Sequence, residues 1–178
     1  MMYTINEAYS ELKKYRTGVV ITKKIDSATV CIDFDESADS DSEWFGKARL
    51  HSSSPYISSI TEIINNIPDE YERVKDLQYM PKATGLPHTP NTQYFMKKDH
   101  LIMIFHKNRV TSYPYIERAA KKLGVSLAPL LFKGNLESEE HLKSLISEFK
   151  TSETKSSIVV RALGSFRIDE YNSHIFEF

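Results

Sequence analysis

The run VVITKKIDSATVCIDFD, residues 19–35, holds two segments dense in β-branched residues, 19–25 and 29–34, on either side of Asp26-Ser27. Valine, isoleucine and threonine suit the pleated, half-buried surface of a sheet, and Asp-Ser suits a tight turn. The sequence predicts a β-hairpin here. Lys24 and Asp26 stand at its turn. A lysine at a strand end attacks a nucleotide α-phosphate when its pocket keeps part of it deprotonated. The plainer reading of Lys24-Ile25-Asp26-Ser27 is a solvated turn.

Upstream, Thr4-Ile5-Asn6-Glu7 has the spacing of a capping box, and Ile5, Ala8, Tyr9 and Leu12 share one face of a first helix that Gly18 stops. Downstream, 35–43 (DESADSDSE) is an acidic loop and 44–50 a short strand. Ser54-Pro55 starts a helix whose buried stripe is Ile57, Ile60, Ile64 and Ile67. Residues 78–94 are turn-rich and predict a long loop. Residues 101–105 and 110–112 are strands joined by a turn at 107–109, and 113–123 is a helix closed by Gly124. A strand follows at 127–132, a helix capped by Ser138 to 149, a strand at 158–163 and a tail strand from Phe166. No linker or repeat interrupts the pattern. The expectation is one α+β domain over 1–178, with a helix in 1–17 and a core over 19–178.

Net charge is −1, from 23 basic against 24 acidic residues, so a nucleic-acid surface would have to be a local patch. The single cysteine, Cys31, excludes an internal disulfide, and its place on the strand predicts a buried apolar residue. No apolar run approaches the ~20 residues of a membrane span. The expected compartment is cytoplasmic, in a bacterium or a phage-infected host cell.

In order along the chain, several segments resemble those of ATP-dependent RNA ligases and related covalent nucleotidyltransferases. Residues 19–35 resemble the stretch around that family's nucleotide-accepting lysine, Glu-Lys-x-Asp-Gly; WFGKARLHSSSPYISSI resembles its Gly-Arg/Lys turn before a helix. PHTPNTQYFMKKDHLIMIF resembles the lead into its central strand, and NRVTSYPYIERAAKKLGVSLAPLLFKGNL its strand-helix-strand passage. SSIVVRALGSF resembles the Glu-Gly-x-Val-x-Arg strand. The resemblance covers nearly all of 19–178. It implies a nucleotidyltransferase core of two packed, mainly antiparallel sheets with flanking helices. Lys24 would be the nucleophile, Asp26 its partner and Arg161 a phosphate contact.

The departures fall on the charges. Lys23 stands where the family has glutamate, and Ser27 where it has glycine. Ser156 and Ser157 replace the Glu-Gly pair, and Phe105-His106 replaces Phe-Asp. The family's closing Lys-hydrophobic-Arg segment corresponds to a tail ending Glu177-Phe178. Mg²⁺ wants oxygen ligands, commonly carboxylates plus phosphates. Nucleotidyl transfer rests on fixed cations and metal, and losing one fixed donor costs about 10²–10³ in rate. Putting a carboxylate where a phosphate-binding lysine belongs is worth about 1–4 kcal/mol at ~4 Å.

The expected function is therefore a degenerate ligase-like domain, a pseudoenzyme with Lys24 and Asp26 vestigial. It would bind a nucleotide, RNA or a protein target in a regulatory or inhibitory role, a phage-encoded origin being one expectation. The nucleotide- or RNA-binding candidates are Lys47, Arg49, His106, Arg161 and Arg167, with Tyr94, Tyr113 and Tyr115 as aromatic lining; tyrosines that merely cap the core are the competing reading. One alternative is an active RNA ligase using Lys24 with ATP and Mg²⁺ as cofactors; another is an unrelated α+β interaction module. No metal site is expected. The aspartates of 33–41 lack the glycine and glutamate of an EF-hand, Ala38 and Trp44 standing in their places, and the six histidines show no zinc spacing.

Overall fold

The structure is a computed structural model that describes residues 3–15, 18–26, 29–34, 48–52, 61–62, 92–98, 100–151 and 157–178, with backbone alone for 29–34, 48–52 and 61–62. It is α+β, with two mainly antiparallel sheets and a few helices. The chain divides into two compact units. Unit 1 holds 1–24, 109–114 and 128–178, and unit 2 holds 25–108 and 115–127.

In unit 1, helix α1 (Ile5–Leu12) begins at the expected capping box: Thr4 Oγ1 accepts from the Glu7 N–H, and the Glu7 carboxylate accepts from the Thr4 N–H at 2.8 Å. The Thr4 N–H and the Thr4 hydroxyl both donate to the Glu7 carboxylate, and these two hydrogen bonds hold it below its ordinary range. A four-stranded sheet runs β12-β10-β1-β9, built from β1 (Val19–Lys23), β9 (Leu130–Gly134), β10 (Ile158–Ala162) and β12 (Ile175–Glu177). Its register sets Val19 opposite Ala162, Ile21 opposite Val160, and Val160 opposite Phe176. Those apolar residues share one face and are buried, and Tyr3 meets the Phe176 ring edge-on at 5.0 Å. Helix α3 (Glu139–Thr151) is capped by Ser138, whose Oγ accepts from the His141 N–H. It touches both α1 and β10, and Ala8, Leu12, Leu142 and Ile146 supply the helical side of this core.

In unit 2, β2 (Thr29–Phe34) lies between β3 (Ala48–Ser52) and β5 (Thr92–Lys97), with β4 (Thr61–Glu62) on β3 and β6 (His100–His106) on β5. β8 (Ser126–Leu127) runs parallel to the start of β6. Helix α2 (Tyr113–Leu123), which belongs to this unit from Tyr115 on, contributes Ile116, Ala119, Ala120 and Leu123, spaced i, i+3, i+4 and i+7, as its buried stripe. Gly124, at φ 67°, ends it: its N–H donates to Lys121 O and that of Val125 to Ala120 O, a Schellman closure.

The expected β1–β2 hairpin does not form. Both edges of β1 are filled by β9 and β10, and β2 pairs with β3 and β5. Asp26-Ser27 also lacks the glycine that a two-residue hairpin turn demands. Thr61–Glu62 pair with β3 in the middle of the expected helix; the rest of that helix, like the acidic loop, lies outside the described residues. The strand expected at 44–50 is observed at Ala48–Ser52. Thr92–Tyr94, expected in a loop, belong to β5, where Thr92 and Tyr94 are buried. The run expected as one strand at 127–132 is two, broken at Ala128-Pro129 because proline has no N–H for the ladder.

Candidate functional site

Alternation along the unit 1 sheet gives it a second face of different character. Val20 pairs with Arg161 on one side and Lys133 on the other, and Arg161 pairs with Ile175. One strand row thus carries Lys133, Val20, Arg161 and Ile175. Lys24 extends the same face: its N–H donates to Ser157 O at 2.9 Å, continuing the β1–β10 ladder beyond Lys23–Ile158. Thr22, Val159 and Glu177 form the row between.

Arg161 is the unusual member. Its side chain is 5% exposed, Nε donates to Ala162 O at 3.1 Å, and Nη2 donates to Thr111 O at 2.9 Å. Nη1 is buried with no hydrogen-bond partner, as is the Thr111 hydroxyl. The guanidinium carbon lies 5.9 Å from the Tyr113 ring centroid and 5.7 Å from that of Phe166. Among the described residues no carboxylate pairs with it. Burial pushes its pKa down to about 10, with Tyr171 and Tyr113 acting in the opposite direction. Buried guanidinium groups are ordinarily paired, and an orphaned donor costs about 1–3 kcal/mol.

A second cation leans on the same ring, Lys133 Nζ standing 5.8 Å from the Tyr113 centroid. Tyr113 is held in place at the start of α2 by its N–H, which donates to Leu163 O at 2.9 Å; the Leu163 N–H in turn donates to Gly18 O at 2.7 Å. Two cations over one buried ring, with an orphaned guanidinium nitrogen and hydroxyl beside them, make a local field that favours an anion.

Lys24 is occupied. Its Nζ donates to Glu177 Oε2 at 2.8 Å, with the side chains 33% and 54% exposed. In that pair the nitrogen presents N–H donors to a carboxylate and offers no lone pair to a phosphorus. Strand rise puts the Cα atoms of Lys24 and Arg161, four positions apart on the ladder, about 13 Å from each other. One phosphate does not reach both without the side chains re-aiming. The donor set does not fit Mg²⁺ either: the carboxylate beside Lys24 is already committed to it, and among the described residues no three His, Cys, Asp or Glu side chains cluster to hold a metal.

The other candidates lie elsewhere. Asp26 is exposed and belongs to unit 2, since the division falls between Lys24 and Ile25. His106 ends β6 in unit 2, its Nδ1 2.8 Å from the hydroxyl of buried Thr92. Arg167 in β11 (Phe166–Arg167) forms a bidentate pair with Asp169 at 3.0 and 2.9 Å, both exposed. It stands opposite Arg109 of β7 (Arg109–Val110), whose Nη2 donates to Ser165 O and Oγ. Arg49 is in β3 with its side chain undescribed; Lys47 and the Cys31 side chain lie outside the described residues. Tyr94 and Tyr115 belong to unit 2, and burial raises both hydroxyls above their ordinary range. Lys133 and Thr111 were not singled out from sequence. The signal for Lys133 is alternation in Leu131-Phe132-Lys133-Gly134, but which face it takes depends on register with β1.

No protein-family model matches the chain, and neither the curated proteins nor the solved structures give a match. No helix among the described residues is long and apolar enough to cross a membrane.

Proposed function

We propose that this chain is a degenerate RNA ligase-like nucleotidyltransferase domain. It binds a phosphate-bearing ligand, a nucleotide or an RNA end, in a regulatory or inhibitory role without efficient nucleotidyl transfer. The observation that carries the binding half is Arg161: buried, without a carboxylate partner among the described residues and with Nη1 unsatisfied. An anion entering beside it would accept from Nη1 and from the Thr111 hydroxyl, and Lys133 would add charge from the same strand row. The silent half rests on Lys24, whose Nζ is engaged by Glu177 where transfer would need a free amine.

Calorimetric titration of ATP, pyrophosphate and a 5′-phosphorylated RNA into the protein and its Arg161→Met variant tests the reading. A hydrogen bond to a charged group is worth about 1.5–3 kcal/mol, so the variant should bind roughly 10- to 150-fold more weakly. Equal affinity in the two proteins, or no binding by the unaltered one, would refute it.

A further inference from the structure

Charge is distributed unevenly along this chain. Residues 92–127 contain seven Lys or Arg against two Asp or Glu, while the whole chain is net −1. The fold of unit 2 gathers most of that excess at one end. Lys97 and Lys98 make the β5–β6 turn, Lys98 at φ 50°. The residue that begins β6, His100, pairs with both Lys97 and Ser126. Ser126 follows directly on the Schellman closure of α2, so the last turn of that helix, with Lys121 and Lys122, ends beside the same strand start. Arg118 lies one turn earlier, its guanidinium carbon 5.8 Å from the Tyr115 ring centroid.

Lys98, Arg118, Lys121 and Lys122 are exposed, and among the described residues none of the four forms an ion pair with a carboxylate. Among the described residues the acidic ones of the neighbourhood are Glu117 on α2 and Asp26, next to the Ile25 carbonyl that accepts from Lys97 Nζ at 3.3 Å. Among the described residues the cations are in excess. Among the described residues the one exposed large hydrophobic is Leu130, which belongs to unit 1. A basic surface that docks on a membrane combines its cations with apolar side chains that insert. This one offers cations and the Tyr115 ring.

We infer that this end of unit 2 is a docking surface for the phosphate backbone of a nucleic-acid strand, with Lys98, Lys121 and Lys122 as the principal contacts and Arg118 flanking them. It is distinct from the Arg161 site, and neither proposal requires the other. Such contacts release counterions from the strand, so affinity falls with salt, by about 0.7 in logarithmic slope per single-strand phosphate neutralised.

Fluorescence anisotropy with a labelled single-stranded RNA of about 16 nucleotides tests this, the unaltered protein being compared with a Lys98→Gln/Lys121→Gln/Lys122→Gln variant across a salt series. The expected slope is about −2 to −3 for the unaltered protein, flattening by about 2 in the triple variant, with affinity at low salt lowered tenfold or more. The triple variant should still bind ATP as the unaltered protein does, which separates the two sites. Circular dichroism establishes that the triple variant is folded. Unchanged binding in the folded variant, or no binding by the unaltered protein, would overturn the inference. So would equally tight, lysine-dependent binding to phosphatidylserine vesicles or to polyglutamate of matched charge.

Discussion

Replacing Arg161 by methionine should leave the empty protein about as stable as before. The guanidinium is 5% exposed, has no carboxylate partner among the described residues, and is pushed down to about 10 by burial. At 1.36 kcal/mol per unit, that shift corresponds to about 3 kcal/mol held against the folded state. Methionine fills similar space without charge, but it forfeits the ring contacts, about 1 kcal/mol, and leaves the Thr111 and Ala162 carbonyls without their donors, about 1 kcal/mol each. The balance is close to zero, so Tm should stay within about 2 °C for a chain of this size. Differential scanning calorimetry reads it directly. That near-equality should hold between about pH 6 and 9, because the base is charged in both folded and unfolded states there. The unaltered protein should gain on the variant as pH climbs above about 10, where the folded form sheds its proton first and the penalty on the unaltered protein is relieved. A saturating phosphate ligand should set the unaltered protein above the variant, since 100 times Kd adds about 2.7 kcal/mol to the protein that binds it. A variant whose Tm drops by several degrees, or which gains as much from ligand as the unaltered protein, would show that Arg161 is a structural strut.

Glu177→Gln should alter stability by less than about 1 kcal/mol in urea unfolding, because the Lys24–Glu177 pair is partly exposed to solvent. A loss of 2 kcal/mol or more would mean the pair is structural. Gly18→Ala should cost about 1–3 kcal/mol by the same assay. A Cβ there would stand 2.8 Å from the Gly134 carbonyl oxygen, which belongs to the β9 backbone and cannot rotate away. A neutral result would mean that the β1–β9 ladder opens easily at that end.

Local rules carried the sequence reading furthest where one turn of chain contains the whole cause. The Thr4–Glu7 capping box, the Ser138 cap and the Gly124 closure are each complete within a few residues, and each stands where the pattern puts it. Pairing was not legible. β-Branched residues say that 19–23 enters a sheet, but its neighbours come from 130–134 and 158–162, and nothing local names them. The same gap hid the site. Arg161 was visible as a candidate, yet its burial, its two rings and its neighbour Lys133 follow from register across three strands. Glu177 was read as a charge of the wrong sign near a phosphate; its contact with Lys24 depends on β12 pairing with β10, with β10 lying between β12 and β1.

The central claim is a face that holds phosphate and leaves it unreacted. Incubation with ATP and Mg²⁺ followed by paired native and denaturing mass spectra puts both halves to one test. The account predicts a nucleotide-bound mass in the native spectrum that Arg161→Met sharply reduces, and the bare polypeptide mass after denaturation. A covalent adenylate that survives denaturation and disappears in Lys24→Ala would contradict it.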